Sequence, residues 1–130
     1  MIYASIFKAL KKIGALDLIK RADYAKSESD SFMPLSLDVL RRDDDLTIIA
    51  LAHSFEQNGD LMADPDMTIA IHHQSNMAQA LSFQNDSLGL YQEIYDTFPT
   101  PKMVNPALKA DLNKFLNKWL KNAISQGHSF

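Results

Sequence analysis

Cysteine is absent from this 130-residue chain. Disulfide staples, zinc ribbons, iron–sulfur clusters and thiol catalysis are excluded with it, and the expected setting is reducing and cytoplasmic. Glycine is scarce as well: the four, at positions 14, 59, 89 and 127, are too scattered to form a phosphate-binding loop. No serine stands in a Gly-x-Ser-x-Gly elbow, so that hydrolase signature is missing. Long apolar runs are missing too. The most apolar stretch, Leu46 to Phe55, is too short to span a bilayer, and Lys8, Lys11 and Lys12 interrupt the apolar start. No membrane segment or signal peptide is expected, and no cofactor is implied.

What remains has the composition of an ordinary folded domain, 46% hydrophobic and 22% charged. The length fits a single domain, 1–130, large enough to close one hydrophobic core. The net charge of −3 hides an asymmetry. Residues 1–26 and 102–130 hold eleven of the thirteen Lys and Arg against Asp17, Asp23 and Asp111, leaving the ends at +8. The middle, 27–101, sets thirteen acids against Arg41 and Arg42, for −11. Oppositely charged, solvated faces that attract each other within the molecule are the simplest reading.

Hydrophobic periodicity sets out the elements. Ile2, Ile6, Ala9, Leu10, Ile13 and Leu16 recur at helical spacing, which predicts a helix over 1–21 weakened at Gly14. The polar stretch Lys26 to Ser31 reads as a loop. From Met33 the period falls to two, and Leu35, Leu37 and Val39 alternate with Ser36 and Asp38. Leu46–Phe55 is the most apolar strand; Met67–His72 and Met77–Phe83 form a hairpin closed by Gln74-Ser-Asn76; Leu88–Tyr95 follows the turn 84–87. Short connections favour antiparallel pairing. A Pro-containing linker, 98–101, leads to a helix over 105–126, with Asn105 as N-cap, Pro106 at the first helical position and Gly127 beyond its end. The expected fold is α+β: an antiparallel β-meander of about five strands across 33–96, with the N-terminal and C-terminal helices packed on one face. Phe83, Tyr91, Tyr95 and Trp119 are assigned to the core, and His128 to a disordered tail.

One segment concentrates polar chemistry. Residues 53–66, read as a loop, carry His53, Glu56, Gln57, Asn58, Asp60, Asp64 and Asp66. The four acids offer oxygen ligands for a hard cation, but their spacing is not that of an EF-hand, and no metal site is assigned. Asn58-Gly59 and Asp64-Pro65 are turn signals in their own right, and structural use of these residues outweighs metal binding. His53, on the face of Leu51 and Phe55, reads as a hydrogen-bonded, half-buried residue. His72 and His73 are adjacent on a strand and face opposite ways.

The segment Ala52-His-Ser-Phe-Glu-Gln-Asn-Gly-Asp-Leu-Met-Ala-Asp-Pro-Asp-Met67, followed by Ser82–Tyr95, Asn105–Leu108 and Asp111–Leu120, resembles a family of small uncharacterised bacterial proteins common on plasmids and in prophage-like regions. That resemblance brings no activity with it and implies an accessory or host-interaction role. The leading expectation is a non-enzymatic protein-interaction domain whose partner is another protein. One alternative is a metal-dependent or acid–base enzyme using residues 53–66. A second is nucleic-acid binding through the lysine-rich terminal helices, less favoured at a pI near 5.7.

Overall fold

The computed structural model describes residues 1–130. Helix α1 (Ile2–Ile13) ends where Gly14, at φ 94°, caps it by donating to the Leu10 and Lys11 carbonyls. A single turn, α2 (Ala15–Leu18), follows. The helix expected over 1–21 is therefore two helices and a bend. Gly14 adopts the left-handed backbone that L side chains resist, which turns the chain.

Six strands then form one antiparallel meander in chain order: β1 (Tyr24–Ser29), β2 (Phe32–Arg42), β3 (Leu46–Gln57), β4 (Asp60–His72), β5 (Met77–Asn85) and β6 (Leu90–Glu93). The expectation of about five strands missed β1, which was read as a loop. β1 is a polar edge strand in which Ser27 alone is buried, so it carries no apolar alternation to mark it. The segment 53–66 is likewise not a loop. It forms the outer half of the β3–β4 hairpin, with Glu56 opposite Leu61 and Gln57 opposite Asp60. Asn58 (φ 54°) and Gly59 (φ 85°) make its turn, while the cis Asp64–Pro65 bond lies inside β4 rather than at a second turn. The hairpin closed at residues 74–76 forms as expected.

Both helical ends pack on one sheet face. Ile6, Leu10 and Ile13 of α1 and Leu112, Leu116 and Leu120 of α3 (Pro106–Ser125) join one core with Leu35, Leu37, Ile49, Leu51, Met67, Ile69 and Ile71. Each fully buried aliphatic side chain contributes roughly 1.5–3 kcal/mol. α3 starts as its sequence predicts, with Asn105 Oδ1 accepting from the Leu108 N–H at 3.1 Å. No helix is long and apolar enough to cross a membrane.

A buried amide joins α3 to the sheet. The β4–β5 register shifts between Thr68 opposite Ser82 and Ile69 opposite Ala80, which makes Leu81 an extra residue. The groups freed by this bulge are both used. The Leu81 carbonyl accepts from the Ile94 N–H at 3.0 Å. The Ala80 N–H donates to Asn113 Oδ1 at 2.9 Å, and Asn113 Nδ2 donates to the Lys109 carbonyl at 2.8 Å.

The C-terminal residues are not a disordered tail. His128 is 3% exposed, and its Nδ1 lies 2.9 Å from Ser27 Oγ, which also accepts from the Ser129 N–H at 3.1 Å. The Phe130 N–H donates to the Ile13 carbonyl at 2.8 Å. Gly127 (φ 90°) turns the chain back over β1, where residues far apart in sequence supply the partners.

Replacing Asn113 by Ala is expected to strand the buried Ala80 N–H and destabilise the domain by about 1–3 kcal/mol. Urea unfolding of N113A beside N113D and the parent chain measures it. A cost below about 0.5 kcal/mol would show that the bulge is satisfied without this amide.

Candidate functional site

The six-stranded sheet has two faces, and only one is covered by helices. Register identifies the side chains on the other. One row crosses the sheet as Tyr24, Asp38, Ala50, Thr68, Ser82 and Glu93, each opposite the next. A second runs Lys26, Ser36, Ala52, Asp66, Gln84 and Tyr91. Cross-strand partners share a face, so these rows form one polar surface. The small side chain of Ala52 lowers its middle. A groove of about 410 Å³ lies there, lined among others by Ser36, Asp38, Ser54, Asp66, Gln84 and Asp86.

The carboxylates of the groove differ in how they are held. Asp86 is committed: it accepts from the Ala63 N–H and from Gln84 Nε2, both at 2.8 Å. The Ala63 N–H bond, then the Gln84 bond, hold its carboxyl below the usual carboxylate range. Asp64 accepts from Asn85 Nδ2 at 2.7 Å. Asp38 and Asp66 take part in no ion pair. Burial, followed by the charges of Asp38 and Asp86, pushes the Asp66 carboxyl upward. At the far edge the Tyr91 hydroxyl donates to Glu93 Oε1 at 2.7 Å, and that bond raises the phenol. Tyr91 is 58% exposed and Tyr24 53%, so the assignment of Tyr91 to the core is corrected. Tyr91 lies opposite Gln84, on the sheet face that no helix covers.

The side chains of residues 53–66 scatter. His53 lies on the helix face, buried, with Nδ1 3.1 Å from the Pro34 carbonyl and its ring 5.4 Å from Trp119 and 5.7 Å from His128. Glu56, Gln57, Asn58 and Asp60 are exposed at the hairpin tip. Asp64 is fastened to Asn85, and Asp66 alone looks onto the groove beside Asp38. Nowhere do three His, Asp or Glu side chains come together in a way that holds a metal ion. His72 and His73 part as expected, to Gln79 and Thr47. The groove residues outside the segment, Asp38, Gln84 and Asp86, were missed because strand register assembles the first two and the hydrogen bonds of the turn after β5 place the third. The polar alternation of Ser36 and Asp38 was the one available signal that this face is uncovered.

The match of the family profile runs over residues 2–129. The chain belongs to the family described as Domain of unknown function (DUF6908). Both helical ends and all six strands lie within that match, so the open face is part of the family domain. No curated protein matches the chain, and no solved structure does.

Two titrations follow from these surroundings. A carboxyl whose folded pKa is raised contributes stability below its unfolded value, which is lost as pH rises through the folded one; at pH 7 the charged Asp66 therefore opposes folding. D66N is expected to raise the thermal midpoint at neutral pH by a small amount that vanishes near pH 3, read by calorimetry at both; an unchanged or lower midpoint at pH 7 contradicts it. Burial, then His53, hold the His128 imidazole below its ordinary value. Its stabilising contribution is complete above about pH 6.5 and declines as pH falls from there. H128Q, whose amide oxygen can accept from Ser27, should flatten unfolding free energy between about pH 6.5 and 5, and equal slopes would refute this.

Proposed function

We propose that this domain is a protein-interaction module whose uncovered sheet face binds a Lys- or Arg-bearing segment of a partner protein. One observation carries the reading. Two carboxylates without ion-pair partners, Asp38 and Asp66, face a groove of about 410 Å³ on the sheet side that no helix covers. Their mutual repulsion favours a positive guest, and with no third ligand grouped at metal-binding geometry the fit is to a larger organic cation. A guanidinium reaches two carboxylates at once through its fork of N–H donors, and Gln84 adds an amide at the rim. Tyr24 and Tyr91, exposed on opposite edge strands, offer ring faces over which cationic side chains stack. An accessory role for such a module suits the mobile-element setting that the resemblance implies.

A fluorescein-labelled hexa-arginine peptide tests the charge reading by anisotropy. Binding is expected at low salt, to weaken with added salt, and to fall roughly tenfold in D38N/D66N. E56Q/D60N, which removes two acids at the hairpin tip, should change it by less than about twofold. Absence of binding at low salt, or equal losses in the two variants, overturns the assignment of the groove.

A further inference from the structure

The opposite side of the molecule carries a second recess that the interaction reading does not use. α1 and α3 lie beside each other on the covered face, and where α1 presents Ser5 and Ala9 its side chains are small. A groove of about 430 Å³ stays open between the helices there. Lys8 and Lys12 line it from α1, one turn apart, and Lys121 from α3; Ser5 and Ser125 add hydroxyls. No acidic residue lines it.

These lysines are uncompensated. The three ion pairs of the chain, Lys26–Glu28, Arg41–Asp43 and Arg42–Asp23, all lie elsewhere. α1 contains no acid, and the single acid of α3, Asp111, precedes Lys121 by about three turns. The attraction expected within the molecule between basic ends and acidic middle is thus not realised by any ion pair at this groove. Three ammonium groups around one concavity repel each other, and a guest carrying several negative charges relieves that repulsion.

We propose that the α1–α3 groove binds a small polyphosphate ligand. A single carboxylate would neutralise one lysine, whereas phosphates in a chain place charge along the groove against both helices. Lysine meets phosphate as a mobile point charge with three donors, and the Ser125 hydroxyl can donate to a remaining oxygen, while Ser5 Oγ donates to Asn117 Oδ1 at 2.9 Å. The groove has the volume of an ordinary small-molecule site. A duplex would need basic residues spread over a longer surface than this recess, so extended nucleic acid is the less fitting guest.

Calorimetric titration of the full chain with inorganic tripolyphosphate, at about 50 mM salt, tests the proposal. Saturable binding is expected, with affinity reduced roughly tenfold or more in K8Q/K121Q. K114Q/K118Q removes the same charge from α3 outside the groove and should cost less than about threefold. Displacement of tripolyphosphate by ATP would extend the class from free polyphosphate to nucleotides; a ligand that ATP does not displace keeps the proposal to the free chain. No saturable binding, or equal losses in the two variants, overturns it. So does a single-stranded oligonucleotide that binds tightly and is indifferent to K8Q/K121Q while tripolyphosphate does not bind. Because D38N/D66N touches only the other face, failure here and failure of the arginine-peptide reading are separable.

Discussion

The buried amide of Asn113 is the constraint on which the arrangement of this domain rests. A bulge in the sheet leaves one N–H of β5 without a strand partner, and a polar group buried in that state costs about 1–3 kcal/mol. Asn113 takes that N–H and ties its own amide to the preceding turn of α3, so the helix can seat at one height along the strand. Apolar packing alone would tolerate sliding of a helix over a sheet, since dispersion and burial are non-directional. With α3 held, Trp119 comes over His53, and the chain beyond the helix returns to Ser27 and Ile13. The last residues then close the edge where β1 meets the helices.

Holding both helices on one side leaves the other side of the sheet bare, and charge is divided accordingly. Asp38 and Asp66 collect on the uncovered face, while the lysines of α1 and α3 look away from it. No ion pair joins the two populations. Asp66 is half-buried beside two other carboxylates, an arrangement that folding does not favour at neutral pH. The buried histidines are a different case. His53 and His128 face each other under Trp119, away from both grooves, and His128 Nε2 and Trp119 Nε1 are buried without hydrogen-bond partners. Of the two, only His128 can take up a proton, and a charge there would be buried in this packing.

How much of this could be read from the sequence differs by element. The last helix was legible to within a residue because Asn105 and Pro106 announce its start by local hydrogen bonding and backbone geometry. β2 to β5 were legible because one of their faces is apolar. β1 was not, because Tyr-Ala-Lys-Ser-Glu-Ser buries one serine and shows no alternation to detect. The segment 53–66 was located as a polar concentration but misread as a loop. Its Asp64-Pro65 pair carries the chemistry of a turn, yet strand pairing with β3 overrode it. Of its seven candidate residues, Asp66 alone stands with Asp38 in the groove.

The sequence by itself determined the fold class, the antiparallel pairing and the opposite charges of ends and middle, because these follow from local periodicity, short connections and composition. The two grooves were decided only by tertiary structure. Asp38 and Asp66 meet through strand register, in which a slip of one residue would turn each to the opposite face, and Asp86, just beyond β5, is held beside them by the Ala63 N–H and Gln84. Lys8, Lys12 and Lys121 share a recess because α1 and α3, separated by the whole sheet in sequence, are seated side by side. His128 became part of the core for the same reason. Its partner Ser27 is 101 residues away, and no local pattern encodes a contact of that range.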